Sequence, residues 1–178
     1  MEGGTLTGNF DWEKIYEKES PVLYGYLVKK AGAQAAEDIL QECFLRVLDM
    51  TEKKGAPQNI RAYLFQIARN LMIENEALVE KQSDLGVETN AFFHRINGES
   101  ELVKKEITEI LNQSFHLLDD QEAEVFYFRW DQGLSSKEIA CIIKTSDRHV
   151  RRILKKGARK IESFFKNKGW GSEYVLSQ

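Results

Sequence analysis

Residues 133–160 read G-L-S-S-K-E-I-A-C-I-I-K-T-S-D-R-H-V-R-R-I-L-K-K-G-A-R-K, and this stretch decides the fold. It predicts two short helices joined by a tight turn. Ser135 or Ser136 can cap the first helix, whose apolar side is Ile139, Ala140 and Ile143. Thr145 or Ser146 can cap the second, because a hydroxyl there satisfies first-turn amides that have no partner within the helix. Asp147 follows, and an acid in a first turn complements the helix dipole. Val150, Ile153, Leu154, Gly157 and Ile161 then fall on one side at helical spacing. Arg148, His149, Arg151, Arg152, Lys155, Lys156, Arg159 and Lys160 occupy the rest. An apolar-backed, basic-fronted helix entered through a short turn from another helix is the pattern of a helix-turn-helix, whose second helix enters the major groove. The plainer alternative is a solvated helix with a basic face. The coincidence of caps, turn and charge favours the first reading.

Charge outside this stretch supports the same division. The 178 residues carry a net charge of −3. Between Lys144 and Lys168 lie ten basic and two acidic residues, a net +8, whereas the others hold 15 basic and 26 acidic groups, a net −11. This asymmetry says more than the total. The basic end can displace counterions from phosphate. The acidic remainder is repelled by DNA unless a partner holds it there.

Working outward, helix formers dominate and only two prolines occur, so the expected class is all-α: two small helical domains joined by a flexible linker. Residues 10–30 read as helix through Phe10, Ile15, Tyr16, Val22, Leu23, Tyr26 and Leu27, with Pro21 opening a second helix and Gly32 as the stop. Residues 35–50 form a stronger helix. Ile39, Leu40, Cys43, Phe44, Val47 and Leu48 make its core stripe, and Asp38, Gln41, Glu42, Leu45 and Arg46 make a polar row on another side. That row is either a solvated face or a docking face. Residues 51–59 contain Gly55 and Pro57 and read as a loop. Residues 60–78 resume as helix with Tyr63, Leu64, Ile67, Ala68, Leu71 and Met72 inward. Periodicity fades over about 80–100, and the domain boundaries are 1–80, a linker at 81–103, 104–168, and a tail at 169–178. Within the linker Phe92, Phe93 and Ile96 can dock. Helix returns over 101–118, Asp119 and Asp120 cap the next, and residues 122–130 bury Val125, Phe126 and Phe128.

Several function classes are disfavoured. No apolar run approaches the ~20 residues that span a bilayer, and residues 1–11 lack the pattern of a secretory leader. A cytoplasmic protein without membrane insertion is expected. Cys43 and Cys141 sit apart among apolar neighbours and read as buried small side chains, not metal ligands. His94, His116 and His149 are scattered, with no partner at ligand spacing. There is no phosphate-cradling loop and no nucleophile elbow. Glu122 and Glu124 read as solvated acids on an exposed face. No cofactor, no metal and no catalytic residue is expected, and the chain does not read as an enzyme.

Two separated segments resemble the small, two-domain sigma factors of bacterial RNA polymerase, the extracytoplasmic-function type. A-A-E-D-I-L-Q-E-C-F-L-R-V-L at 35–48, followed by N-I-R-A-Y-L-F-Q-I-A-R-N-L-M-I at 59–73, resembles the family's second conserved region, which grips the polymerase and opens the promoter. L-L-D-D-Q-E-A-E-V-F-Y-F-R-W-D-Q-G-L-S-S-K-E-I-A at 117–140, running into the basic helix, resembles the fourth, which reads the upstream promoter box. The resemblance implies that Asp38, Gln41, Glu42 and Arg46 contact the coiled coil of the largest subunit of core RNA polymerase. It implies that Lys53 and Lys54 lie in a loop reading the downstream box. It implies promoter-DNA contacts by Arg148, His149, Arg151, Arg152, Lys155 and Lys156, and an anti-sigma protein as regulator. The chain departs from the family at Glu74, Glu76 and Glu80, in a stretch usually basic, and at Asp119 for a usual proline. It departs again at Lys144 for a usual glycine and at His149 for a small hydroxyl residue. Two other readings stay open: a sigma mimic that binds an anti-sigma protein or core without promoter opening, and a plain helix-turn-helix regulator.

Overall fold

A computed structural model describes residues 11–76 and 113–169. The chain divides into two compact units between residues 87 and 88, and the regular elements among the described residues are helical, as the all-α reading expects. The linker expected over 81–103, Phe92, Phe93, Ile96 and His94 within it, the helix expected over 101–112, residues 77–80 and the tail from 170 lie outside the described residues.

The first unit contains α1 (Trp12–Ala31), α2 (Ala33–Lys54) and α3 (Ile60–Glu76). Asp11 caps α1 by accepting from the Lys14 amide at 3.2 Å. Gly32 alone separates α1 from α2, with φ +80 and ψ 159, a conformation essentially confined to glycine. Its N–H donates to the Val28 carbonyl at 3.0 Å and closes α1. Pro21, expected to open a second helix, instead lies inside one uninterrupted α1. An interior proline removes a backbone hydrogen bond and costs roughly 3 kcal/mol. Burial beyond it offsets this: Leu23, Tyr26 and Leu27 are at most 1% exposed, and Tyr26 meets Phe65 edge-on at 5.2 Å. Glu19, itself buried, accepts from Arg61 Nε at 2.6 Å and from Nη2 at 3.1 Å. This two-toothed pair ties α1 to the start of α3.

The core stripe of α2 is buried as read, with Leu48 only half-buried. The helix is longer than the 35–50 expected, because Thr51 donates to the Val47 carbonyl at 2.8 Å and Lys53 pairs with Asp49 at 2.6 Å. Lys53 and Lys54 therefore lie in the last helical turn, which corrects their placement in a loop. Cations there complement the helix C-terminus. Asn59 begins α3 by accepting from the Ala62 amide at 3.1 Å. Leu64, Ile67, Ala68, Leu71 and Met72 are buried as expected; Tyr63 is half-buried, and Phe65 joins the core unforeseen.

In the second unit residues 113–115 are helical. They are followed by α4 (Asp120–Phe126), a π-helical turn (Tyr127–Asp131), α5 (Ser136–Ile142) and α6 (Asp147–Asn167). Asp119 and Glu122 form a reciprocal capping box at the start of α4: the Glu122 amide donates to Asp119 at 2.8 Å and the Asp119 amide to Glu122 at 3.0 Å. The wider π turn, closed by Gln132 N–H on the Tyr127 carbonyl at 3.1 Å, buries Tyr127 and Phe128 and leaves Arg129 and Trp130 exposed. Phe115, Leu118, Phe126, Leu154, Ala158 and Ile161 pack as one cluster between α4 and α6.

Candidate nucleic-acid interface and docking face

The turn between α5 and α6 is built by local chemistry. Of the alternatives, Ser135 caps α5: it accepts from Glu138 N–H at 3.3 Å, and its own amide donates to the Glu138 carboxylate at 2.7 Å. Ser146 caps α6, accepting from His149 N–H at 3.2 Å. Between them the Thr145 N–H reaches back to the Ala140 carbonyl at 2.9 Å, closing α5 in the manner that ordinarily uses glycine at the left-handed position. Here Lys144 holds that position with φ 53. The strain for a side chain there is about 1–2 kcal/mol.

The back of α6 is fixed to the unit. Val150 and Ile153 are buried. Gly157 lies so close to α4 that a Cβ would stand 2.5 Å from Phe126 Cε2. Beside it, Lys160 Nζ donates to Glu122 Oε2 at 2.6 Å, and Lys156 Nζ lies 2.8 Å from Oε1. Glu122 is 2% exposed and Glu124 8%, which corrects their reading as solvated acids. The capping box turns Glu122 inward, where two lysines of α6 meet it. Burial opposes its ionisation, but the Lys156 and Lys160 hydrogen bonds and the Asp119 amide outweigh burial and hold its pKa at about 2.

The front of α6 is a cationic row. Arg148, His149, Arg151, Arg152 and Lys155 line one shallow depression together with Ser146. Arg151 Nε donates to Asp147 at 3.1 Å and its Nη2 to the other carboxylate oxygen. That hydrogen bond holds Asp147 below the usual carboxylate range. Arg152 Nη2 lies 2.8 Å from His149 Nδ1. Lys156, grouped with these residues in the sequence, is directed instead to Glu122 and to Asp119, the latter at 3.4 Å. Such a row can meet phosphate oxygens and the O6 and N7 edge of guanine. No group of His, Cys, Asp and Glu arranged to hold a metal occurs among the described residues.

In the first unit Asp38, Gln41 and Arg46 are exposed on one face of α2, with Glu42 half-buried beside them and Leu45 61% exposed. Arg46 Nε donates to Glu42 at 2.7 Å, a hydrogen bond that raises the guanidinium pKa further. Across on α3, Glu74 lies 3.9 Å from Arg46, a neighbour that sequence spacing could not supply. The Glu42–Arg46 and Asp147–Arg151 pairs, four residues apart, were legible as helical spacing. Cys43 is buried, and desolvation pushes its thiol up to about 12. Cys141 is exposed, contrary to its reading as a buried side chain, because the inward face of α5 belongs to Ile139, Ala140 and Ile142.

Two family models match the chain: "Sigma-70 region 2" over residues 15–76 and "Sigma-70, region 4" over residues 115–162. No curated protein matches it. Among solved structures, the sigma factor RpoE in complex with the anti-sigma factor NepR from Bartonella quintana is similar at 16% identity and TM-score 0.56, over 88% of this chain and 97% of that one. A chain of the RsbN–BldN complex is 21% identical with TM-score 0.33, over 85% and 89%. No helix among the described residues is long and apolar enough to cross a membrane.

Proposed function

Because the chain belongs to the sigma-70 family, we propose that it is a sigma factor of the two-domain, extracytoplasmic-function type, which binds core RNA polymerase and directs promoter-specific transcription initiation. The observation that carries this is the match of regions 2 and 4 in that order along one chain. The outward row of α2, Asp38, Gln41, Glu42 and Arg46, is the proposed contact to the coiled coil of the largest polymerase subunit. Its mixed, mainly acidic charge suits a basic partner and keeps an acidic unit close to DNA. The outward row of α6 is the proposed upstream-box reader, and Lys53 and Lys54, at the end of α2, the proposed downstream contacts. Catalysis belongs to the polymerase, which places the chain with it in the cytoplasm. The RpoE structure holds an anti-sigma factor, and a partner of that kind covering these faces is part of the proposal. The domain limits proposed are 1–80 and 104–168.

One observation favours a second reading. Glu74 stands where the family is usually basic and turns to Arg46 on the docking face, as suits a chain that binds core or an anti-sigma protein without opening DNA. Run-off transcription with core polymerase separates the readings. Promoter-dependent transcripts establish the first. Core or anti-sigma binding without transcripts establishes the second, and DNA binding without core binding leaves a plain helix-turn-helix regulator.

A further inference from the structure

We infer that His149 is a positioning residue for Arg152 and that the pair reads a guanine in the upstream element. This rests on the reading of α6 as the DNA-contacting helix. The two residues are three apart in the sequence and share one face, and Arg152 Nη2 stands 2.8 Å from His149 Nδ1. A guanidinium can only donate, so Nδ1 is the acceptor in this contact. One of the five N–H donors of Arg152 is taken, and the plane of the remaining fork is set by the ring. Both side chains line the depression shared with Arg148, Arg151 and Lys155, so the fork is fixed where a base edge would enter.

The chemistry selects the ligand. A held guanidinium plane presents parallel donors, and guanine alone offers the paired acceptors O6 and N7 in the major groove. Holding the fork beforehand removes rotamer freedom that binding would otherwise have to remove. A hydroxyl side chain at position 149 is shorter than an imidazole. The departure at His149 therefore adds an arginine-holding acceptor, and it bears on base choice more than on overall affinity. Arg151 is held differently, by a carboxylate four residues earlier, so the two arginines are fixed by separate partners.

The test is selection from a duplex library with a randomised upstream element, using the full chain assembled with core polymerase. The wild-type protein is expected to enrich guanine at one position, and Arg152→Ala to abolish that preference. His149→Ala is expected to weaken it about tenfold with the salt slope of total binding unchanged. Asparagine places an amide oxygen where Nδ1 stands, whereas glutamine places one near Nε2. His149→Asn should therefore restore the preference and His149→Gln should not. Equal rescue by both, or a guanine preference that His149→Ala leaves intact, overturns the proposal while leaving the functional reading in place. Failure of the wild-type protein to select any sequence overturns the functional reading and this inference with it.

Discussion

Lys160 of α6 donates to the carboxylate of Glu122 in α4 at 2.6 Å, across 38 residues of sequence. Glu122 is almost wholly buried, while Lys160 and Lys156 reach it from the surface with side chains 34% and 61% exposed. Losing a hydrogen bond to a charged group typically costs about 1.5–3 kcal/mol. Both lysines can turn to water, so Glu122→Ala leaves no buried charge and should fall within that range. Hydrogen exchange at the Val150 and Ile153 amides of the full chain reads the loss locally; unchanged protection would show that the pair does not hold α6.

Acid should act on the same carboxylate. Its folded pKa, about 2, lies below the ordinary 4.5, so its stabilisation is complete above pH 4.5 and disappears as pH falls toward 2. The amount is on the order of 3 kcal/mol. Urea titrations at stepped pH should show the second unit weakening across this window. Glu122→Gln should flatten that dependence.

Gly157→Ala sets two effects against each other. Alanine gains up to about 1 kcal/mol of helix propensity, but its methyl would stand 2.5 Å from the Phe126 ring. Overpacking of this kind costs about 1–3 kcal/mol, and Phe126 is hemmed in by Trp130 at 4.3 Å. The clash should win, giving a lower melting temperature. Combining Gly157→Ala with Phe126→Leu should cost less than the sum of the two single changes.

Lys144→Gly should stabilise the second unit by about 1 kcal/mol, because it relieves a left-handed backbone that glycine adopts freely. A calorimetric melt checks it, and a decrease in melting temperature would remove strain as the account of this turn.

Reversing charge at both Asp38 and Glu42 should weaken core polymerase binding about tenfold or more. Circular dichroism should be unaltered, since both lie on the outward row of α2. Retained pull-down of core would move the docking face elsewhere.

The helix-turn-helix was readable because its caps and its apolar stripe are local. Ser135, Ser146 and the Ile139 to Ile143 stripe all act within six residues of one another or of their partners. The stripe of α2 was readable for the same reason. Pro21 misled because propensity marks it as a helix start, whereas Leu23, Tyr26 and Leu27 carry the helix through it by tertiary burial. The Glu19–Arg61 pair spans 42 residues and has no local signature. Glu122 resembled any surface acid until the lysines of α6 were placed against it. The α2 end showed a smaller error: Lys53 and Lys54 read as loop because Gly55 and Pro57 follow, yet Thr51 and Asp49 hold the helix to residue 54.

The division of labour along α6 has a practical consequence. Its fastening points, Val150, Ile153, Gly157, Lys160 and Ile161, lie along the back of the helix, while Arg148, Arg151, Arg152 and Lys155 are exposed on the front. Base-reading side chains can thus be exchanged with little penalty to the scaffold. Such a helix suits diversification of target sequences, by natural drift or by directed redesign, with the mounting left untouched.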